Sequence, residues 1–225
     1  MKRLFFVILC YFFFTATSFD NTNVVDCKYA MALFDSTVKN FKTFEGRFTH
    51  SYSSPDGKTM TVEEGNVFLK KGGKIKFVYS KPEGKIAVSN GKIAYLYLKE
   101  DNCAYKIRIP SGKKTPVLAK IIMGKTTPSR EFFCAFARRE NETLFLELGL
   151  KEKDLSLRRL EMGIDEKSGF FSSISYVDQY DQKIILNFFD GKSNTDIPDL
   201  FFEFSLPEGA KLLDSPEEFI DELNF

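Results

Sequence analysis

His50 is the only histidine in the chain, and histidine is the side chain best suited to move protons near neutral pH. It lies in a run where Phe44, Gly46, Phe48, His50 and Tyr52 share one period-two face. Proton transfer also needs a nucleophile or an orienting partner. The chain carries no Gly-x-Ser-x-Gly elbow, no glycine-rich phosphate loop and no pairing of nucleophile with base. A lone histidine on an aromatic face is therefore expected to be structural, and the protein is expected not to be an enzyme. Hydrolase activity lost in a folded His50→Ala variant is what would overturn that.

Cysteine is the other reactive type. Cys10 sits in an apolar leader, behind Leu9 rather than a small residue, so lipoprotein cleavage there is not expected. Cys27, Cys103 and Cys134 remain. An odd number in an exported chain permits at most one intrachain disulfide plus a free thiol. Cys103–Cys134 is one possible pair, and buried unpaired thiols are the alternative. Cys27 falls on an apolar stripe, which favours a packing thiol. The spacing suggests no metal site, and no cofactor is expected.

The leader bounds the compartment. Met1-Lys2-Arg3 is basic, Leu4 to Phe14 is continuously apolar, and Ala16 and Ser18 occupy the −3 and −1 places of a cleavage site. Residues 1–18 read as a cleaved secretory signal, with 19–225 as one domain. An uncleaved anchor is the other reading, though the apolar run is short for a membrane span. The whole chain has a formal charge of +1. Loss of Lys2 and Arg3 makes the mature chain slightly acidic, which leaves no electrostatic case for nucleic acid.

The remaining sequence must position whatever the interior binds. Val24, Cys27, Met31, Phe34, Val38 and Phe41 recur at helical spacing and predict a helix of about five turns that needs a sheet to lie on. Phe44 to Tyr52 predicts the first strand. Glu64 to Tyr97 predicts a four-strand meander. Its inner face is read as Ile75, Phe77 and Tyr79, then Ile86 and Val88, then Ile93, Tyr95 and Tyr97, with Lys74 and Lys76 facing outward. Asn90-Gly91 marks a tight hairpin. A polar loop, Pro110 to Thr115, leads into an apolar segment, Val117 to Met123, closed by Gly124. This short helix is either a lid or ordinary core. Strands resume from Phe132, and a last one is expected at Phe202 to Leu206, before an acidic tail helix over 215–225. About a dozen short strands with 25 phenylalanines and no tryptophan predict a mainly β fold. The architecture expected is an unclosed antiparallel β-barrel, or strongly curved sheet, with a long N-terminal helix and a short lid helix over an apolar cavity.

The order of short motifs resembles the LolA family of periplasmic outer-membrane lipoprotein carriers. After a leading amphipathic helix come Phe44-x-Gly46-x-Phe48, the run Glu64 to Lys71, and Ile75-x-Phe77-x-Tyr79-x-x-Pro82. Val88-Ser89-Asn90-Gly91-Lys92 and Tyr95-x-Tyr97 follow, then Thr115-Pro116 at the mid-chain helix and Phe202-x-Phe204-x-x-Pro207-x-Gly209. Each motif is weak alone; together they span nearly the whole mature chain. The resemblance implies a lidded half-barrel that shuttles lipoproteins between membranes. It implies acylated lipoproteins as cargo, an inner-membrane lipoprotein-releasing transporter and an outer-membrane receptor as partners, and a monomer.

Three departures stand out. Where the family has arginine-proline, this chain has Lys71-Gly72. The family arginine holds the lid through backbone carbonyls, so Lys71 is either a latch without the planar fork or a solvated turn lysine. Phe77 replaces a frequent tryptophan, and His50 stands where glutamine is usual.

Acyl chains need an apolar wall. The residues expected to form it are Ile75, Phe77, Tyr79, Val88, Tyr95 and Tyr97 from the sheet. Leu118, Ile121, Ile122 and Met123 are expected from the lid, and Met31 and Phe34 from the long helix. Plain core packing is the competing reading for each. A carrier of another amphiphile, such as a glycolipid, and a lipoprotein-sensing module remain as alternatives. Related sensors carry a second domain, for which no room is read after Phe204.

Overall fold

The computed structural model describes residues 23–109, 115–152, 158–178 and 180–214. The leader, the 110–114 loop and the acidic tail helix expected over 215–225 lie outside the described residues.

The chain enters through a two-residue strand β1 (Asn23–Val24) and helix α1 (Cys27–Asn40). The helix is about four turns long and starts later than its apolar stripe suggests. Asp26 caps it, with Oδ1 accepting from the backbone N–H groups of Lys28 and Tyr29 at 3.0 Å each. Val24 is drawn into strand pairing instead. Ala30, Phe34, Thr37 and Val38 form the buried stripe.

Six strands follow: β2 (Thr43–Ser53), β3 (Thr59–Lys70), β4 (Lys74–Lys81), β5 (Glu83–Asn90), β6 (Ile93–Leu98) and β7 (Cys103–Arg108). Two short helices interrupt them, α2 (Val117–Ile122) and α3 (Pro128–Glu131). The chain returns as β8 (Phe132–Glu140), β9 (Thr143–Leu150), β10 (Arg158–Asp165), β11 (Phe170–Val177), β12 (Lys183–Ser193) and β13 (Lys211–Asp214). All thirteen belong to one sheet, ordered β1-β8-β9-β10-β11-β12-β2-β3-β4-β5-β6-β7-β13. Neighbours are antiparallel except β13, which runs parallel to β7. The two end strands do not pair with each other, so the barrel is unclosed. Bulges in the β10–β11, β12–β2 and β8–β9 pairs add local twist.

Pairing fixes which residues share a face. Leu146, Met162, Ile174, Leu186, His50 and Glu63 form one continuous cross-strand row on the concave side. Phe48 and Phe188 form the next, with Phe48 set edge-on to both Phe77 and Tyr79. Phe34 lays its ring edge-on to Phe171, and Phe44 stacks on Phe170 at 3.9 Å. Helix α1 thus buries its stripe against the second half of the sheet.

Three expectations are corrected. First, Phe77 pairs with Ala87, and Ala87 with Leu96, so these form the inner face of the meander. Val88 pairs with Tyr95 and Lys76, and Tyr97 with Ile86, on the outer face. Second, Phe202 to Leu206 is not a strand. A 3-10 turn (Asp199–Phe202) and the extended residues after it lie across the outer face. Phe201 packs on Phe68, with Lys76 Nζ 4.1 Å from its ring centre, and Phe204 stacks on Tyr95. These apolar contacts, added to lysine contacts, hold the segment over the sheet face rather than at an edge. Third, the disulfide is Cys27–Cys134, with Cα atoms 5.6 Å apart, which leaves Cys103 as the free thiol among the described residues. The stripe that suggested packing for Cys27 places it directly over β8.

Candidate functional site

A cavity of about 40 Å³ lies between the concave face, α1 and α2. Phe34, Val38 and Phe41 reach it from α1, Leu118, Ile121 and Ile122 from α2, and Leu69, Ile75 and Phe77 from the meander. The far wall is Met162, Phe170, Phe171, Ile174, Leu186 and Phe188. Every one of these side chains is apolar, so the space offers no directional contact and rewards only removal of hydrocarbon from water.

Six of the residues expected at the wall therefore meet around it: Phe34, Ile75, Phe77, Leu118, Ile121 and Ile122. Met31 is half-buried against the core without reaching the cavity. Met123 is half-buried over Gly73, where a Cβ would sit 2.7 Å from its Cγ. Tyr79 is buried farther along β4. Val88, Tyr95 and Tyr97 lie on the opposite face. The far wall was missed, although Ile174, Leu186 and Phe188 carry the same period-two signal as the meander.

Lys71 Nζ donates to the carbonyl oxygen of Lys39 at 3.2 Å, in the last turn of α1. Its stem runs beside Gly124, just beyond α2; a Cβ there would lie 3.1 Å from Lys71 Cε. The helix end presents carbonyls that attract a cation. Lys71 thereby joins the β3–β4 turn to one helix and touches the exit of the other.

A polar group closes the opposite stretch of the concave face. Lys85 Nζ is 2.8 Å from Glu63 Oε1 and lies over the Tyr79 ring, 4.6 Å from its centre. His50 Nδ1 is hydrogen-bonded to the Tyr52 hydroxyl at 3.1 Å. It stands 3.8 Å from Glu63 Oε2, too far for a hydrogen bond. Burial, followed by the Lys85 ammonium, pushes the His50 imidazole down to about 4, so it is neutral at pH 7. Among the described residues, no group of three or more His, Cys, Asp or Glu side chains is arranged to hold a metal.

On the outer face, Lys70 and Lys74 both reach Asp199, at 2.8 and 2.7 Å, and Lys70 also donates to the Ile197 carbonyl. Those ammonium groups hold the Asp199 carboxyl down to about 2. Lys76 donates to the Phe201 carbonyl, and burial lowers its pKa. Lys70, Lys74 and Lys76 thus anchor the C-terminal strap.

The chain is thus an unclosed, almost wholly antiparallel half-barrel with helices over an apolar concave face. The family model described as outer membrane lipoprotein carrier protein LolA matches residues 39–205, and the chain belongs to that family. A protein of Cupriavidus pinatubonensis named outer-membrane lipoprotein carrier protein is 25% identical over 181 residues, covering 79% of this chain and 84% of the relative. One of the same name from Nitrosomonas europaea is 23% identical over 185 residues, covering 79% and 89%. Among solved structures, an uncharacterized conserved protein from Thermus thermophilus shares the fold with a TM-score of 0.51 at 10% identity, covering 84% of this chain and 98% of that one. A LolA superfamily protein from Nitrosomonas europaea gives 0.43 at 10% identity, covering 80% and 98%.

Proposed function

We propose that this protein is a non-enzymatic periplasmic carrier, one domain after a cleaved leader. It takes the acyl chains of lipoproteins into its concave interior and moves them from the inner to the outer membrane. The observation that carries this reading is the wholly apolar wall beneath two helices, in a chain of the lipoprotein-carrier family.

Energetics set what such a carrier must do. Each methylene withdrawn from water contributes roughly 0.8 kcal/mol, so free acyl chains do not cross an aqueous compartment unaided. A cavity of about 40 Å³ has room for roughly one or two small solvent-sized groups. Acyl chains therefore enter only as α2 and the end of α1 move off the sheet. Helix α2 suits that movement. It has six residues, no side-chain cap and mostly apolar contacts, which slide without breaking directional bonds. Reclosure on an empty interior regains the buried surface and favours release to a receptor. The partners that follow are an inner-membrane lipoprotein-releasing transporter and an outer-membrane receptor, with the carrier acting as a monomer.

Native mass spectrometry of the protein purified from its host's periplasm tests this. A triacylated lipoprotein adduct is expected, and Ile75→Glu or Ile122→Glu should abolish it while leaving the fold intact by circular dichroism. These positions are only half-buried. A wild-type protein that carries no adduct and binds no apolar dye overturns the proposal.

A further inference from the structure

Glu63 is 7% exposed and lies on the concave face, opposite His50 and in line with the cavity residue Leu186. Its two carboxylate oxygens differ. Oε1 takes the Lys85 ammonium at 2.8 Å, whereas Oε2 is buried and has no hydrogen-bond partner. Buried acceptors are almost always paired, and a carboxylate oxygen is the side-chain acceptor that loses most by being left unpaired. His50 Nδ1 stands 3.8 Å from Oε2, beyond hydrogen-bond reach, and is already engaged with the Tyr52 hydroxyl.

A row of packed rings connects the cavity to Glu63. Phe77 lines it and meets Phe48 edge-on; Phe48 meets Tyr79 in the same way; Tyr79 lies under Lys85. Glu63 is one period-two step beyond Gly65, which pairs with Phe48, a displacement of about 7 Å. An alkyl chain laid along these rings once the interior opens would bring its polar end to Glu63.

We infer that Glu63, Lys85 and His50 form a polar subsite for the head of the acylated cargo, in which Glu63 Oε2 accepts a hydrogen bond from a neutral donor, an amide N–H or a hydroxyl. This inference rests on the carrier reading above. The charge balance selects the donor class. Glu63 and Lys85 already neutralise each other, so a second ammonium would crowd Lys85 in a site with little water. An anion or a bare ester would face an unfilled carboxylate oxygen. A neutral donor satisfies Oε2 without adding charge.

Displacement of an apolar fluorescent dye by four decyl probes tests this. N-methyldecanamide and decanol carry a neutral donor, methyl decanoate carries none, and decylammonium is cationic. At least one neutral donor should bind about tenfold more tightly than methyl decanoate, the size expected of a hydrogen bond to a charged group. The amide and the alcohol distinguish an N-acylated head from a glycerol-type head. Glu63→Gln presents an N–H where Oε2 stood and should erase the advantage, improving methyl decanoate instead. Glu63→Gln with Lys85→Met supplies the same comparison without a stranded ammonium, in case the single variant does not fold. Equal binding of amide, alcohol and ester overturns the subsite alone. Tightest binding by decylammonium overturns the neutral-donor class. Failure of all four probes overturns the carrier reading and the subsite with it.

Discussion

Cys27 at the start of α1 is covalently bonded to Cys134 on β8, across 107 positions of sequence. The helix is therefore fixed where it enters the fold, while the residues that reach the cavity, Phe34, Val38 and Phe41, lie beyond the clamp. On the proposed carrier reading, the movement that opens the interior is left to the far end of α1 and to α2.

Closing so long a loop restricts the unfolded chain strongly, and removing a native disulfide of this kind costs about 2–5 kcal/mol. The Cys27→Ser, Cys134→Ser double variant should lose that much in urea unfolding, yet still bind an apolar dye when folded. An unfolding midpoint equal to the wild type's would mean the bond does not constrain the fold.

Lys71 is bonded to the other end of the helix, at Lys39. That hydrogen bond is exposed, so its effect on stability is small, but if Lys71 acts as a latch its removal loosens the end of α1. Lys71→Met should speed dye release about two- to tenfold, matching one hydrogen bond. Lys71→Arg should restore slow release because its fork also reaches backbone carbonyls. Identical release rates in all three proteins would make Lys71 a turn residue only.

The half-barrel, its long helix and its short covering helix were legible because period two and period 3.6 are strong signals over many residues. The facing of β5 and β6 was not. Ile93 to Leu98 is apolar at every position, so alternation cannot choose a side. The choice is made by Phe204, which stacks on Tyr95 from the outside, more than a hundred positions later. The aromatic spacing of Phe202 and Phe204 looked like a strand because a strap over an apolar face needs the same pattern. Cysteine pairing was hidden for the same reason: it depends on how α1 lies over β8. The Glu63–Lys85 pair is set by the bulged register of β3, β4 and β5, which spacing alone does not show.

His50 gives the fold a pH dependence with a definite sign. Its folded pKa of about 4 lies below the 6.5 usual for a solvated histidine, so between those values the unfolded chain binds the extra proton. Stability from this group is complete above about pH 6.5 and is lost as pH falls towards 4. The full difference is on the order of 3 kcal/mol. Unfolding free energies measured from pH 7 down to 4 should fall accordingly, and His50→Gln should flatten that part of the curve. A variant that tracks the wild type through this range would show that other groups govern acid sensitivity.

Gly65 and Gly149 offer a controlled comparison of what shapes the sheet. A Cβ on Gly65 would lie 2.2 Å from the Val78 carbonyl oxygen and 2.8 Å from Tyr79 Cα. Both are backbone atoms in the bulged pairing of β3 with β4, so they cannot move without opening the ladder. The same change would press on the Phe48 ring, at 3.0 Å, and disturb the floor that Phe48, Phe77 and Tyr79 build beside the cavity. A Cβ on Gly149 would come as close to its neighbour, 2.1 Å, but that neighbour is the Phe133 ring, which is half exposed and free to swing away. Gly65→Ala should therefore destabilise by about 3 kcal/mol or more, as overpacking against rigid atoms does. Gly149→Ala should cost under about 1 kcal/mol, because a change of side-chain rotamer relieves it. Apolar dye binding should weaken in folded Gly65→Ala and stay unchanged in Gly149→Ala. Equal thermal shifts for the two variants would mean that the close approach of β3 to β4 is not what holds this part of the concave floor in place.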